Sequence, residues 1–204
     1  MIELYTWGTP NGRKISIMLE ECGLPYKVHR IDIGKGEQSA PAFVALNPNS
    51  KIPVIVDSDG PDGKPITLME SGAILVYLAG KTGKFLPKSV RGRYKALERL
   101  MFQMGGVGPM FGQLHVFLRL AEPVPYALER YTREKNRLYG VLDRRLGEVK
   151  YLAGEYSIAD IATYPWVARH DFHKTDLTQY PNVKRWFDAM SARPAVARGM
   201  AVPA

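Results

Sequence analysis

Along the first eighty residues the apolar positions alternate between a period of two and a period of three to four. Residues 2–6, IELYT, form a short β-prone run. After it Ile15, Met18, Leu19 and Cys22 fall at i, i+3, i+4 and i+7, one face of a helix. Thr9 can cap that helix, Pro10 suits its first turn and Gly23 can end it. The chain continues with a strand-like YKVHRI (26–31), a short helix over 39–46 and a strand PVIVD (53–57). The loop SDGPDGK (58–64) then carries the glycine and proline signals of a hairpin and leads into a strand ITLM (66–69) and a helix over 71–79. The order, βαβ followed by ββα, predicts a small mixed α/β layer.

Past the linker GKTGKFLPKSVRG (80–92) no strand pattern recurs. Residues 89–120, 125–147, 157–172 and 181–192 read as helix, and the segment GGVGP (105–109) should kink or thin the first of these. Two domains are therefore expected, an α/β half over 1–82 and an all-helical half over 89–204, with no internal repeat.

Composition narrows the function classes. With 46% hydrophobic and 24% charged residues the chain reads as an ordinary globular protein, and its single cysteine allows no internal disulfide. Its start carries an acid at Glu3 and no basic-then-apolar leader. The longest apolar run, AILVYLA (73–79), falls far short of the ~20 residues of a membrane span. A cytoplasmic protein with no membrane partner is expected. The net charge of +8 is uneven: residues 1–80 hold seven basic against nine acidic side chains, and the remainder twenty-one against eleven. The basic residues are scattered among acids, the pattern of solvated helix faces, and no basic block or aromatic–glycine signature suggests nucleic acid.

Three short stretches carry candidate chemistry. NSKIPVIVD (49–57) opens an apolar strand on Ile52-Pro53, where proline removes a ladder donor and can be held cis. MESGAIL (69–75) puts Glu70 and Ser71 at a helix N-terminus. Free N–H groups and partial positive charge suit a carboxylate there; alternatively Ser71 only caps its own helix. TWGTPNGRK (6–14) is a strand-to-helix turn with a hydroxyl and an amide but no thiol. Tyr5 lies inside the strand and Cys22 on the apolar helix face, so both read as packing residues. His115, His170 and His173 show no metal-ligand spacing, and no metal is expected.

The strand and helix order, Ile52-Pro53, ESGAIL and the helical second half resemble the glutathione transferase family, as do EECGLPYKVHRIDI (20–33) and FVALNPNSKIPVIV (43–56). GEYSIADIA (154–162) resembles its capping-box motif: Ser157 can cap, Asp160 stands three residues on, and Tyr156 with Ile161 can form a hydrophobic staple. TPNGRK, DIGKGEQ, GGVGPMFGQ and PYALERY are similar to the nu-class members, bacterial glutathione-dependent disulfide-bond oxidoreductases.

The resemblance implies a thioredoxin-like N-terminal domain and an all-α C-terminal domain, with glutathione as bound co-substrate, two molecules per site. It implies Thr9 and Asn11 as the groups acting on the thiol. Asn11, Gln38, Ile52, Pro53, Glu70, Ser71 and Arg130 would bind glutathione. Implied partners are glutathione and a small disulfide or electrophile, in a homodimer. Conjugation of an electrophile, reduction of a peroxide, and a non-catalytic interaction module on the same fold are the alternatives.

Overall fold

The computed structural model describes residues 1–203 and divides into two compact units. The first comprises Met1–Lys84 together with the chain from Arg193 onward; the second is Phe85–Ala192.

In the first unit, β1 (Ile2–Thr6), α1 (Pro10–Cys22), β2 (Tyr26–Arg30), α2 (Pro41–Val44), β3 (Val54–Asp57), β4 (Ile66–Leu68) and α3 (Ser71–Thr82) follow in order. The sheet runs β2-β1-β3-β4. β1 is parallel to β2, with Leu4 opposite Val28, and antiparallel to β3, with Leu4 opposite Ile55. Leu4, Val54 and Ile55 are fully buried; the adjacent Val54 and Ile55 point to opposite faces, so the sheet is covered on both at β3.

Helix α1 forms as its caps predict. Thr9 Oγ1 accepts the amide of Gly12, and Gly23 closes the helix at φ 69°. Burial exceeds the single predicted face, because Lys14, Ser16 and Ile17 are covered along with Ile15, Met18, Leu19 and Cys22. Ser16 and Ile17 are covered by α9 (Pro194–Met200), which returns to lie on α1, and Lys14 lies against Ser71 at the start of α3. Ser16 Oγ donates to Gly199 O at 2.6 Å, and any Cβ on Gly199 would collide with the backbone of Ile17. Arg193 and Arg198 add ion pairs to Glu21 and Glu20. This corrects the expected 89–204 boundary: the last segment packs with the α/β unit because its small and apolar residues complete the cover of α1.

The second unit holds α4 (Val90–Phe102), α5 (Gly108–Arg119), α6 (Pro125–Glu148), α7 (Ile158–Val167) and α8 (Pro181–Ser191). The predicted kink is a π-helical turn over Gln103–Val107, between α4 and α5. α7 ends earlier than the predicted 172, and residues 168–175 close it with successive turn hydrogen bonds. Among the described residues, no helix is long and apolar enough to cross a membrane.

The capping box on α7 is formed as its spacing predicts, and it reaches further than a cap. Asp160 is fully buried. Its Oδ2 accepts from Ser157 N at 3.0 Å and Ser157 Oγ at 3.2 Å; its Oδ1 accepts from Leu152 N and Trp186 Nε1, both at 2.9 Å. One carboxylate thus ties the turn before α7, its first turn and α8 together. Tyr156 packs its ring on Phe85 and Tyr151. Replacing Asp160 by Ala strands these buried donors, so urea unfolding should show a loss of about 3 kcal/mol.

Candidate functional site

The end of β1 and the start of α1 are forced close together. A side chain on Gly12 would collide with Thr6 Oγ1 and Trp7 O, so only glycine lets the first turn of α1 sit this near the strand end. That turn forms one wall of a cleft of about 270 Å³ lined by Thr9, Asn11, Ile33, Gln38, Ser50, Lys51 and Ile52. Four residues singled out from the sequence, Thr9, Asn11, Gln38 and Ile52, therefore share one cavity.

Each lining group has a local cause. Thr9 Oγ1 is held as an acceptor by Gly12 N at 3.2 Å. Gln38 lies in a 3-10 turn, Glu37–Ser39, and its Oε1 is buried with no hydrogen-bond partner in the protein. Ile52 precedes the cis peptide to Pro53, which is buried, and the β1–β3 ladder starts only at Val54. Residue 52 therefore keeps its backbone groups outside the sheet. Ser50 stands beside it at φ 53°.

Glu70 and Ser71 meet at the head of α3, with the roles of cap and first residue distributed otherwise than the capping alternative supposes. Glu70 is the N-cap residue, at φ 65° and ψ 110°, with no side-chain cap bond. Ser71 is the first helical residue and is buried, and its Oγ accepts from Lys14 Nζ at 3.2 Å. Ser71 does not cap its own helix. Arg130 belongs to the second unit, exposed on α6, where it lines a pocket of about 280 Å³ with Met110, Tyr131, Arg133 and Glu134. A larger cavity of about 580 Å³, between His170 and Asp188, holds none of the residues expected to bind ligand.

Neither protein group that might replace an external thiol-handling site is equipped for it. Tyr5 stacks on His29 at 4.4 Å and donates to Glu3 at 3.1 Å; burial and the Glu3 carboxylate raise its pKa. Cys22 is buried at the far end of α1, and burial raises its pKa against an opposing contact with Thr82.

With the geometry in place, comparison decides the family. Residues 9–81 match the glutathione S-transferase N-terminal domain and residues 111–194 the C-terminal domain. The chain belongs to the glutathione transferase family. It is 49% identical to the disulfide-bond oxidoreductase YfcG of Escherichia coli over 98% of this chain and 94% of that protein. A Burkholderia graminis glutathione transferase, solved with two glutathione molecules bound per subunit, is 50% identical at a TM-score of 0.95, covering 99% of this chain and 88% of that one. A Pseudomonas putida glutathione transferase, solved with one glutathione disulfide bound per subunit, is 45% identical at a TM-score of 0.94, covering 100% and 92%.

Two features of this glutathione transferase family member escape sequence reasoning. Lys14 is fully buried, and its signal is its position on the apolar stripe of α1, four residues before Met18. His115 and His173 stand 58 residues apart yet meet Nε2 to Nε2 in the core of the second unit. His173 Nδ1 also pairs with the Tyr139 hydroxyl at 3.3 Å, and His173 O accepts from Lys135 Nζ. Only topology brings them together. Among the described residues no group of three or more His, Cys, Asp or Glu could hold a metal ion.

Burial, then the charges of Arg169 and Arg119, lowers the His115 pKa to about 4. Burial and the neighbouring His115 push His173 lower still. Both imidazoles are thus neutral in the folded state and titrate near 6.5 when unfolded. The unfolded chain binds more protons below pH 6.5, so this stability is present above that pH and falls as pH drops toward 4. Chemical denaturation at pH 7 and pH 5 should show a loss of about 4 kcal/mol, about 2 for each imidazole. His173→Gln should flatten the dependence.

Proposed function

We propose that this protein is a nu-class glutathione-dependent disulfide-bond reductase that uses the sulfur of bound glutathione and none of its own. The observation that carries the reading is the cleft at the N-terminus of α1, where Thr9, Asn11, Gln38 and Ile52 converge and no cysteine is present. The close similarity to YfcG and the glutathione and glutathione disulfide bound to the solved relatives support it.

Thiolate at this position gains from the partial positive charge of the helix end and from donors on the first turn. Thr9 accepts from Gly12 with its lone pair, which leaves its hydroxyl proton for the sulfur; Asn11 supplies an amide beside it. The glutathione thiolate attacks one sulfur of the substrate disulfide, forming a mixed disulfide and expelling a thiolate that takes a proton. A second glutathione thiolate attacks the glutathione sulfur of that mixed disulfide, giving glutathione disulfide and the second product thiol. Two glutathiones are oxidised and one disulfide is reduced.

Binding is assigned residue by residue. The backbone at Ile52, ahead of Pro53, pairs with the tripeptide as an added strand. Gln38 offers its amide, Ser71 and the α3 head take the γ-glutamyl carboxylate, and Glu70 takes the ammonium. Arg130 binds a carboxylate of the second glutathione, for which its planar fork is suited. The working form is a cytoplasmic homodimer.

The decisive experiment compares glutathione-dependent reduction of 2-hydroxyethyl disulfide with conjugation of 1-chloro-2,4-dinitrobenzene. Rapid reduction with slow conjugation is expected, and the reverse ratio would return the function to conjugation on the same site. Cys22→Ala should keep full reductase activity, whereas Thr9→Val and Asn11→Ala should each lower kcat/KM by about 10- to 100-fold, the scale of losing one donor to a reacting anion. Calorimetry that detects no glutathione binding at millimolar concentration would overturn every catalytic reading.

A further inference from the structure

Beyond α7 the chain places two arginines on one aromatic ring. The Arg169 guanidinium stands 5.1 Å from the centre of the Phe172 ring, and so does that of Arg119, the last residue of α5. The two charges are therefore at most twice that distance apart. His115 meets the same ring edge-on at 4.8 Å, and its neutral imidazole gives neither arginine a counter-charge.

Other arginines of this unit are compensated on their own helices: Arg99, Arg137 and Arg145 pair with Glu98, Glu134 and Glu148. Among the described residues the side chains of Arg119 and Arg169 have neither an ion pair nor a hydrogen bond, and Arg169 Nε is covered with no acceptor. The acid nearest in sequence to Arg169, Asp171, pairs with His170 at 3.2 Å. The charges acting on His115 are those of Arg169 and Arg119, and Lys135 joins Arg169 in acting on His173; no carboxylate acts on either imidazole. The aromatic cluster at the end of α7 thus lies in a field of one sign.

A ring face accepts no conventional hydrogen bond and leaves two like charges to repel each other. A covered Nε–H without an acceptor adds a desolvation penalty. One anion between the two forks relieves both, because it supplies acceptors and the opposite sign. The two forks also select the anion. A carboxylate carries one charge and two oxygens, which a single guanidinium saturates. A phosphoryl group carries close to two charges and three terminal oxygens, which two guanidiniums can share. Arg119, exposed at the end of its helix, has a flexible stem that can bring its fork to the same group.

We propose that Arg119 and Arg169 form an anion site over Phe172 that binds a phosphoryl dianion. It shares no residue with the cleft at Thr9 or the pocket at Arg130.

The test is calorimetric titration of the glutathione-free protein with inorganic phosphate and with phenyl phosphate at pH 8, where both are dianions, at constant ionic strength. Saturable binding is expected. Tighter binding of phenyl phosphate marks a site for a phosphate ester, and the equal or reverse order a site for the free ion. Arg119→Gln and Arg169→Gln should each weaken binding by about ten-fold or more, the scale of one charge-assisted hydrogen bond. Arg169→Lys keeps the charge without the fork and should also weaken it. Acetate should bind at least about ten-fold more weakly than phosphate, having one charge to offer two guanidiniums. Arg130→Gln should bind as the wild type does. Absence of saturable binding at tens of millimolar phosphate overturns the proposal. Affinity unchanged in both Arg119→Gln and Arg169→Gln does so too, as does acetate binding as tightly as phosphate. Binding lost in Arg130→Gln and retained in Arg119→Gln moves the anion to the other pocket and overturns it equally. If Arg169→Gln fails to fold, Arg119→Gln, at an exposed position, decides between the same outcomes.

Discussion

The first unit is organised by the burial of α1. One side packs on α3 and another on α9, and the close approach of its first turn to the strand end depends on a single hydrogen at Gly12. A helix covered this completely cannot tilt or slide without disrupting the ion pairs of Glu20 and Glu21 and the bond from Ser16 to Gly199. What remains open is its N-terminus. Fixing a helix along its length while exposing its first turn makes a rigid source of unpaired N–H groups and partial positive charge. The cleft residues from the loops at Gln38 and Ile52 are arranged around that source.

Most of this frame is legible in the sequence because it is local. Thr9, Pro10 and Gly23 punctuate α1; Ser157 and Asp160 mark the start of α7; the glycines at 105–108 announce a break whose π-helical form they do not specify. Four of the cleft's lining residues, Thr9, Asn11, Gln38 and Ile52, are reached from the sequence through the resemblance of TPNGRK, DIGKGEQ and NSKIPVIV to the family. The illegible part is what requires knowing who packs on whom. Lys14 stands on the apolar stripe of α1, but its full burial follows only from what packs over that helix. The segment after Arg193 reads as the tail of the helical half until Gly199 is seen against Ile17. His115 and His173 have no relation in sequence, and the apolar core of the second unit supplies one.

Charge illustrates the same division. The surplus of basic side chains after residue 80 invites an anionic partner, yet the structure shows a surface laced with short-range pairs: Lys95–Glu98, Arg137–Glu134, Arg145–Glu148 and Lys184–Asp188, each three or four residues apart on one helix. Exposed pairs of this kind contribute about 0.3–0.5 kcal/mol each and describe solvated faces rather than a binding surface. The informative cations are those that burial or a pocket isolates from this background. Lys14 is isolated by burial, and Arg130 stands beside Arg133 in a pocket with one acid.

The two ends of α1 show why a fold of this kind can handle thiols without contributing one. Cys22 is the last residue of the helix, about 18 Å along the axis from the first turn at 1.5 Å per residue. There the dipole presents its negative end, which disfavours a thiolate, and burial adds to the penalty. At Thr9 the sign is reversed and solvent has access. A protein cysteine moved to that end would have to be exposed, and an exposed low-pKa thiol is the kind most readily oxidised. Leaving the reactive sulfur to an exchangeable ligand keeps the favourable electrostatics while the oxidised product simply leaves the cleft. Under the proposed function the absence of cysteine from TPNGRK is part of the chemistry, and the hydroxyl, the amide and the helix end are what the chain would supply in its place.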